Sequence, residues 1–273
     1  MSRKRLTQIF PFLLPLRKWE KKQFFYMKMA LDTKHYASHT TTSPLPYTVW
    51  KYTTPMINPN SGHDIQYQYN KAHNLQVASA PMNGILIEPG ETFSFWNLAQ
   101  HAPKYGEYKE ALVLSDGKII LGKGGGLCQL SGALYWTALH TPLTILERHS
   151  HLIEDFPSYD TSLPAGTDAT VSEGWQDLRF QNNTSATYQI LFSFKNEEMT
   201  IAIYSNAECN VEYTVYSENV NYTRKKGHIY QHATVFRTET NRKTNEHIEK
   251  TLYINHMEIG YELPRDIEIK EEL

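Results

Sequence analysis

Residues 122–151 read GKGGGLCQLSGALYWTALHTPLTILERHSH. Within them Leu127, Leu130, Leu134 and Ala138 recur at i, i+3, i+7 and i+11, one face of a helix that Pro142 ends. No Asp, Glu, Lys or Arg occurs from Gly124 to Leu146. Gln129, Ser131, Thr137, His140, Thr141 and Pro142 make the run too polar for lipid, so it reads as the centre of a protein core. Leu143–His149 then reads as a strand.

Working outward, strand signals surround this helix. Gly84–Ile87 is a short apolar strand running into the turn Glu88-Pro89-Gly90-Glu91, and Thr92–Trp96 follows. Leu112–Leu114 and Ile119–Leu121 flank Asp116-Gly117, a hairpin signature. Beyond Gly166 apolar residues alternate: Tyr188 to Phe194, a turn at Asn196–Glu198, then Met199, Ile201 and Ile203. The style repeats at Val211–Val215, Tyr230–Val235 and Leu252–Met257. Residues 38–62, rich in Thr, Ser, Pro and Asn, read as a loop-dominated connector. The expectation is an α+β protein whose buried helix carries Cys128 at its N-terminus and packs on a mostly antiparallel sheet. Three regions are expected: a basic helical arm (1–45), an α+β core domain (46–206) and a C-terminal β-meander packed on it (207–273).

The composition supports a folded chain. Of 273 residues, 40% are hydrophobic and 12% aromatic, against intrinsic disorder. Two cysteines rule out a disulfide-stapled mini-fold. The net charge of -2 hides an asymmetry, because residues 1–34 hold nine Lys/Arg and two acids. A basic arm on an acidic body points to contact with a membrane surface or polyanion at one end. Leu6–Leu16 is uncharged, but Pro11 and Pro15 interrupt it and no small-residue cleavage site follows. The run is too short to span a bilayer, so neither signal peptide nor transmembrane segment is recognised and a cytoplasmic location is expected. Trp19, Phe24, Phe25, Met27 and Leu31 lie among lysines, which suits a helix on an anionic surface or one docked on the domain.

The chemistry concentrates around the glycine run. Three glycines lead into Cys128, at a helix mouth where free amides and the helix dipole favour thiolate, the reactive form. The amides near Gly126–Gln129 are placed to hold an oxyanion. A buried, inert cysteine is the alternative. The run fits neither a P-loop, since Lys123 precedes the triple glycine, nor a dinucleotide fingerprint. Arg148-His149-Ser150-His151 puts both histidines on one face of the expected strand, where either could pair with a thiolate. A Cys–His–His zinc site competes with that pair but lacks the expected ligand spacing. Asp168, read at the start of an apolar strand, could orient the imidazole or cap its own turn. Trp175 reads as core or as a groove wall, and Cys209 as incidental.

PGETFSFW (89–96), GGGLCQLS (124–131), ALHTPLTI (138–145), RHSH (148–151) and DATVSEGWQDLRFQNNT (168–184) together resemble the VanW family. The resemblance implies a role in glycopeptide resistance, on peptidoglycan stem peptides or precursors. It also implies an L,D-transpeptidase-like reaction with Cys128 as nucleophile, His151 as base, His149 as second choice and Asp168 as orienter. Gly125, Gly126, Gln129, Arg148 and Trp175 become the expected substrate contacts. The order Cys, His, Asp is similar to transglutaminase- and papain-like thiol enzymes. No metal, cofactor or nucleic acid is expected. A non-catalytic accessory of the resistance machinery is the alternative.

Overall fold

A computed structural model of the chain describes residues 10–115, 118–154, 160 and 162–272. In chain order its elements are α1 (Leu14–Ala30), β1 (Tyr47–Pro55), α2 (Ile65–Ser79), β2 (Ile85–Ile87), β3 (Thr92–Ser94) and α3 (Phe95–Ala99). Next come β4 (Glu110–Ser115), β5 (Lys118–Lys123), α4 (Leu127–Leu139), β6 (Thr144–Glu147), β7 (Ile153–Glu154) and β8 (Arg179–Gln181). The last six are β9 (Tyr188–Lys195), β10 (Glu198–Ser205), β11 (Val211–Lys225), β12 (His228–Asn241), β13 (His247–Ile259) and β14 (Ile269–Glu271).

The protein is α+β, with mostly antiparallel sheets and few helices. Strand orders are β1-β10-β9-β2, β14-β11-β12-β13-β7, β3-β8-β6 and the hairpin β4-β5. Only β11–β14 and β13–β7 pair in parallel among these strands. The hairpin β9–β10 turns through Asn196 and Glu197, both at positive φ (51° and 63°), the conformation that matches strand twist. Its inward residues Ile190, Ile201 and Ile203 are fully buried. Against this sheet lies α4, touching β1, β10 and α2. Leu130, Leu134, Tyr135, Ala138 and Leu139 are all at most 1% exposed, which is why the uncharged run is tolerated. Val215 and Val235 of the C-terminal sheet join the same buried cluster.

Four sequence readings need correction. The connector 38–62 contains β1, nine residues long, whose aromatic and β-branched residues pair with β10 and bury Tyr52 and Thr54. Thr92–Trp96 divides at Ser94, whose hydroxyl accepts from the Asn97 amide and caps α3. The strand expected over 143–149 stops at Glu147, after a register shift against β8 between Ile145 and Glu147. Asp168 starts no strand, since the backbone pairing of its segment with the histidines is the isolated bridge His149–Thr170. The hairpin expected around Asp116-Gly117 has its strands as β4 and β5, while those two turn residues lie outside the described residues. Among the described residues no helix is long and apolar enough to cross a membrane.

Candidate active site

The mouth of α4 is built by glycine. Gly126 caps the helix at φ 99°, in the left-handed region, and a Cβ there would strike the Lys71 side chain. A Cβ at Gly125 would meet the Leu112 carbonyl and Ala111 of β4. Both glycines therefore serve close packing, and Gly125 is buried rather than open to a substrate. Cys128 follows in the first turn, half-buried, with Sγ 3.0 Å from the Thr170 hydroxyl. The Gln129 amide is committed to the Gly126 carbonyl at 2.9 Å, so it is no oxyanion donor. Gln129 instead donates its side-chain amide to the Pro55 carbonyl of β1. The amides of Leu127 and Cys128 remain in the first turn, where an α-helix offers no carbonyl of its own.

His151, on the link between β6 and β7, lies close enough to Cys128 for each to shift the other's protonation. Its Nδ1 lies 2.8 Å from Oδ2 of Asp168, and its backbone amide donates to the same oxygen at 2.7 Å. The other carboxylate oxygen accepts from the Arg148 guanidinium at 2.9 Å. Arg148 also donates to the Asp168 and Gly166 carbonyls, and its guanidinium lies 4.4 Å from the Tyr253 ring centroid. With 13% of its side chain exposed, Arg148 orients Asp168 and does not face a substrate. The C-terminal sheet contributes here. Tyr253 of β13 donates to the Gly166 carbonyl, and β13 pairs with β7 immediately after His151. Ser131, one turn beyond Cys128, donates to the Ala169 carbonyl at 2.7 Å and ties α4 to the Asp168 segment.

The electrostatics follow from these contacts. Burial pushes the Cys128 thiol up, but hydrogen bonds from His151 and Thr170 and the imidazolium charge overcome it and bring it below its ordinary value. Burial alone would lower His151, yet Asp168 and the Cys128 sulfur push it up to about 10. Both directions describe one thiolate–imidazolium pair. Shifts in these directions are the ones that nucleophilic attack by the sulfur and proton donation by the imidazole would require.

Cys128, His151 and Asp168 are brought together with Arg148 behind Asp168, whereas His149 and Trp175 are held elsewhere. His149 does not share a face with His151, because the strand has ended. Its carbonyl accepts from the Thr170 amide and its ring sits 3.0 Å from Glu147. Trp175 is 47% exposed beneath the Lys21 ammonium of α1, as a groove wall away from the Cys128 group. Asp177 and Asn182 are buried structural acceptors and donors: Asp177 holds Ser94 and the Trp96 amide, and Asn182 holds the Ile87 and Ala186 carbonyls. Thr170 was not anticipated, although its place two residues after Asp168 on an extended chain puts both on one face. Tyr253 carried no local signal. Two open clefts, of about 370 and 630 Å³, lie away from Cys128. Among the described residues no three His, Cys, Asp or Glu are grouped to hold a metal ion.

The family model "VanW like protein" matches residues 70–204, which include Cys128, His151 and Asp168. A curated relative, "Vancomycin B-type resistance protein VanW" of Enterococcus faecalis, is 42% identical over 272 residues, covering 99% of both chains. The chain belongs to the VanW family. A further relative, "Uncharacterized protein YoaR" of Bacillus subtilis, is 32% identical over 141 residues, covering 52% of this chain and 45% of that protein. No solved structure matches the chain. The VanW model ends at 204, short of the meander that supplies Tyr253 and braces β7.

Proposed function

We propose that the chain is a cysteine-dependent acyl transferase of L,D-transpeptidase type, acting on peptidoglycan stem peptides or their precursors in glycopeptide resistance. The observation that carries the chemistry is the grouping of Cys128 with His151, whose ring lies 2.8 Å from the Asp168 carboxylate. The name borne by the Enterococcus relative supports the setting. In the reaction, the Cys128 thiolate attacks a stem-peptide carbonyl, and the amides of Leu127 and Cys128 receive the oxyanion. His151 gives its proton to the departing amine, leaving a thioester on Cys128. An acceptor amine then attacks the thioester, His151 takes the proton that this amine loses, and the thiolate is released. Water in place of the amine gives carboxypeptidase-like hydrolysis. Asp168 keeps the imidazole oriented and stabilises its cation. The sequence order of the three groups matches transglutaminase- and papain-like enzymes, and we extend that likeness to roles alone.

Incubation of the full chain with disaccharide tetrapeptide, read by mass, tests this. A thioester on Cys128, followed by cross-linked or shortened peptide, is the expected result. Absence of both, with Cys128 no more reactive than Cys209, leaves the non-catalytic accessory. Cell fractionation tests the cytoplasmic location we assign, since recovery from the wall would exchange precursors for mature peptidoglycan.

A further inference from the structure

The helix α1 docks on the body by one side only. Met29 is buried, Phe25 and Tyr26 pack against the core, and Tyr26 donates to Glu173 at 2.8 Å while Lys22 pairs with the same carboxylate at 2.9 Å. At 100° per residue, Leu16 points away from that side, Trp19 lies on its flank, and Met27 and Leu31 point to the opposite side. They are 54%, 59%, 48% and 77% exposed, and Phe24 beside them is 53% exposed. An apolar face of this kind on a helix already held by its other side calls for an occupant.

The surrounding charge selects that occupant. Residues 10–31 hold five Lys/Arg, with Glu20 as the one acid. Between α1 and the turn at Gly174 runs a groove of about 630 Å³ lined by Arg17, Lys21, Phe24, Lys28 and Trp175, with Glu20 on its rim paired to Arg17 at 3.0 Å, which leaves Lys21 and Lys28 as its excess charge. There Lys21 stands 3.5 Å above the Trp175 ring and Lys28 4.8 Å above that of Phe24. We propose that the outward face of α1, with Trp175 at its edge, docks on an anionic lipid membrane. Leucine, methionine and tryptophan enter the boundary below the headgroups, while the ammonium groups on the groove rim meet the lipid phosphates. Nucleic acid would take the cations but gives no burial to Met27 or Leu31. A second copy packed face to face would set Arg17, Lys21 and Lys28 of one chain against the same three cations of the other.

Flotation of the full chain with vesicles tests this, using phosphatidylcholine alone and an equimolar mixture with phosphatidylglycerol. The native chain is expected to float with the mixture and not with phosphatidylcholine alone. Lys21→Glu with Lys28→Glu should cut the bound fraction about tenfold or more. Trp19→Ser with Leu31→Ser should do the same; Trp19, Lys28 and Leu31 are exposed, and Lys21 is half-buried over Trp175. Binding equal to the native chain in both variants, or no flotation of the native chain, overturns the proposal. So does a dimer in sedimentation that the serine variant dissociates. Neither variant touches the Cys128 group, so thiol labelling there is expected to stay unchanged.

Discussion

Cys128 and Cys209 are both half-buried free thiols, yet their surroundings differ in kind. Cys128 sits in the first turn of a helix, with the Thr170 hydroxyl, the His151 imidazole and the Val171 carbonyl near its sulfur. Cys209 lies in the link between β10 and β11, where its thiol donates to the Val211 carbonyl at 3.3 Å. At Cys128 the imidazolium and the helix mouth favour the thiolate. The pair teaches that exposure alone does not mark a reactive cysteine; the charge and donors aimed at the sulfur do.

The largest test of that contrast is deletion of each sulfur. Cys128→Ala is expected to lower acyl transfer by about a thousandfold or more, while Cys209→Ser leaves it unchanged, as measured by product mass. Next is the histidine. At pH 6 an iodoacetamide probe should label Cys128 in preference to Cys209, and His151→Ala should slow that labelling more than about tenfold. His149→Ala should not, because its ring faces Glu147; equal slowing by the two variants would break the pairing assigned here.

The pH profile sharpens the same comparison. Transfer should rise as Cys128 ionises below its ordinary value and fall near pH 10, where His151 loses its proton. Labelling of Cys128 has no such basic limb. Because His151 is raised in the folded state, the stability it contributes is full below about 6.5 and declines as pH passes about 10, so the melting temperature should fall there. Smaller again is Arg148→Lys, which removes the fork that holds Asp168 and both backbone carbonyls. A loss of about 1–3 kcal/mol is expected, with the acid limb of transfer moved to higher pH. The smallest is Tyr253→Phe, which deletes one hydroxyl contact with Gly166 and one with Tyr135 and should cost about 1 kcal/mol, a melting shift of about 2–4 °C.

Much of the scaffold was legible in residues because it rests on local periodicity. The helix over Leu127–Leu139, the hairpins β4–β5 and β9–β10 and the alternating C-terminal strands all announce themselves by spacing and turn residues. The helix α2 did not, because buried Gln68 and Asn74 blur its apolar face and the Asp64 cap lies in a loop-like stretch. Strand β1 was hidden by the same polar composition, its place being set by pairing with β10, more than a hundred residues away.

At the site the division is sharper. The sequence by itself put a cysteine behind three glycines at a helix start and two histidines shortly after, because helix stripes and glycine runs act over one or two turns. It left the choice between His149 and His151 open, since period-two reasoning gives both one face. Only the tertiary structure decided it. The strand ends at Glu147, Thr170 takes the His149 carbonyl, and Asp168 takes both nitrogens of His151 that it can reach. The brace from Tyr253 and β13 lay beyond any local signal for the same physical reason: contacts between distant segments are fixed by packing, and side-chain spacing along one segment does not encode them.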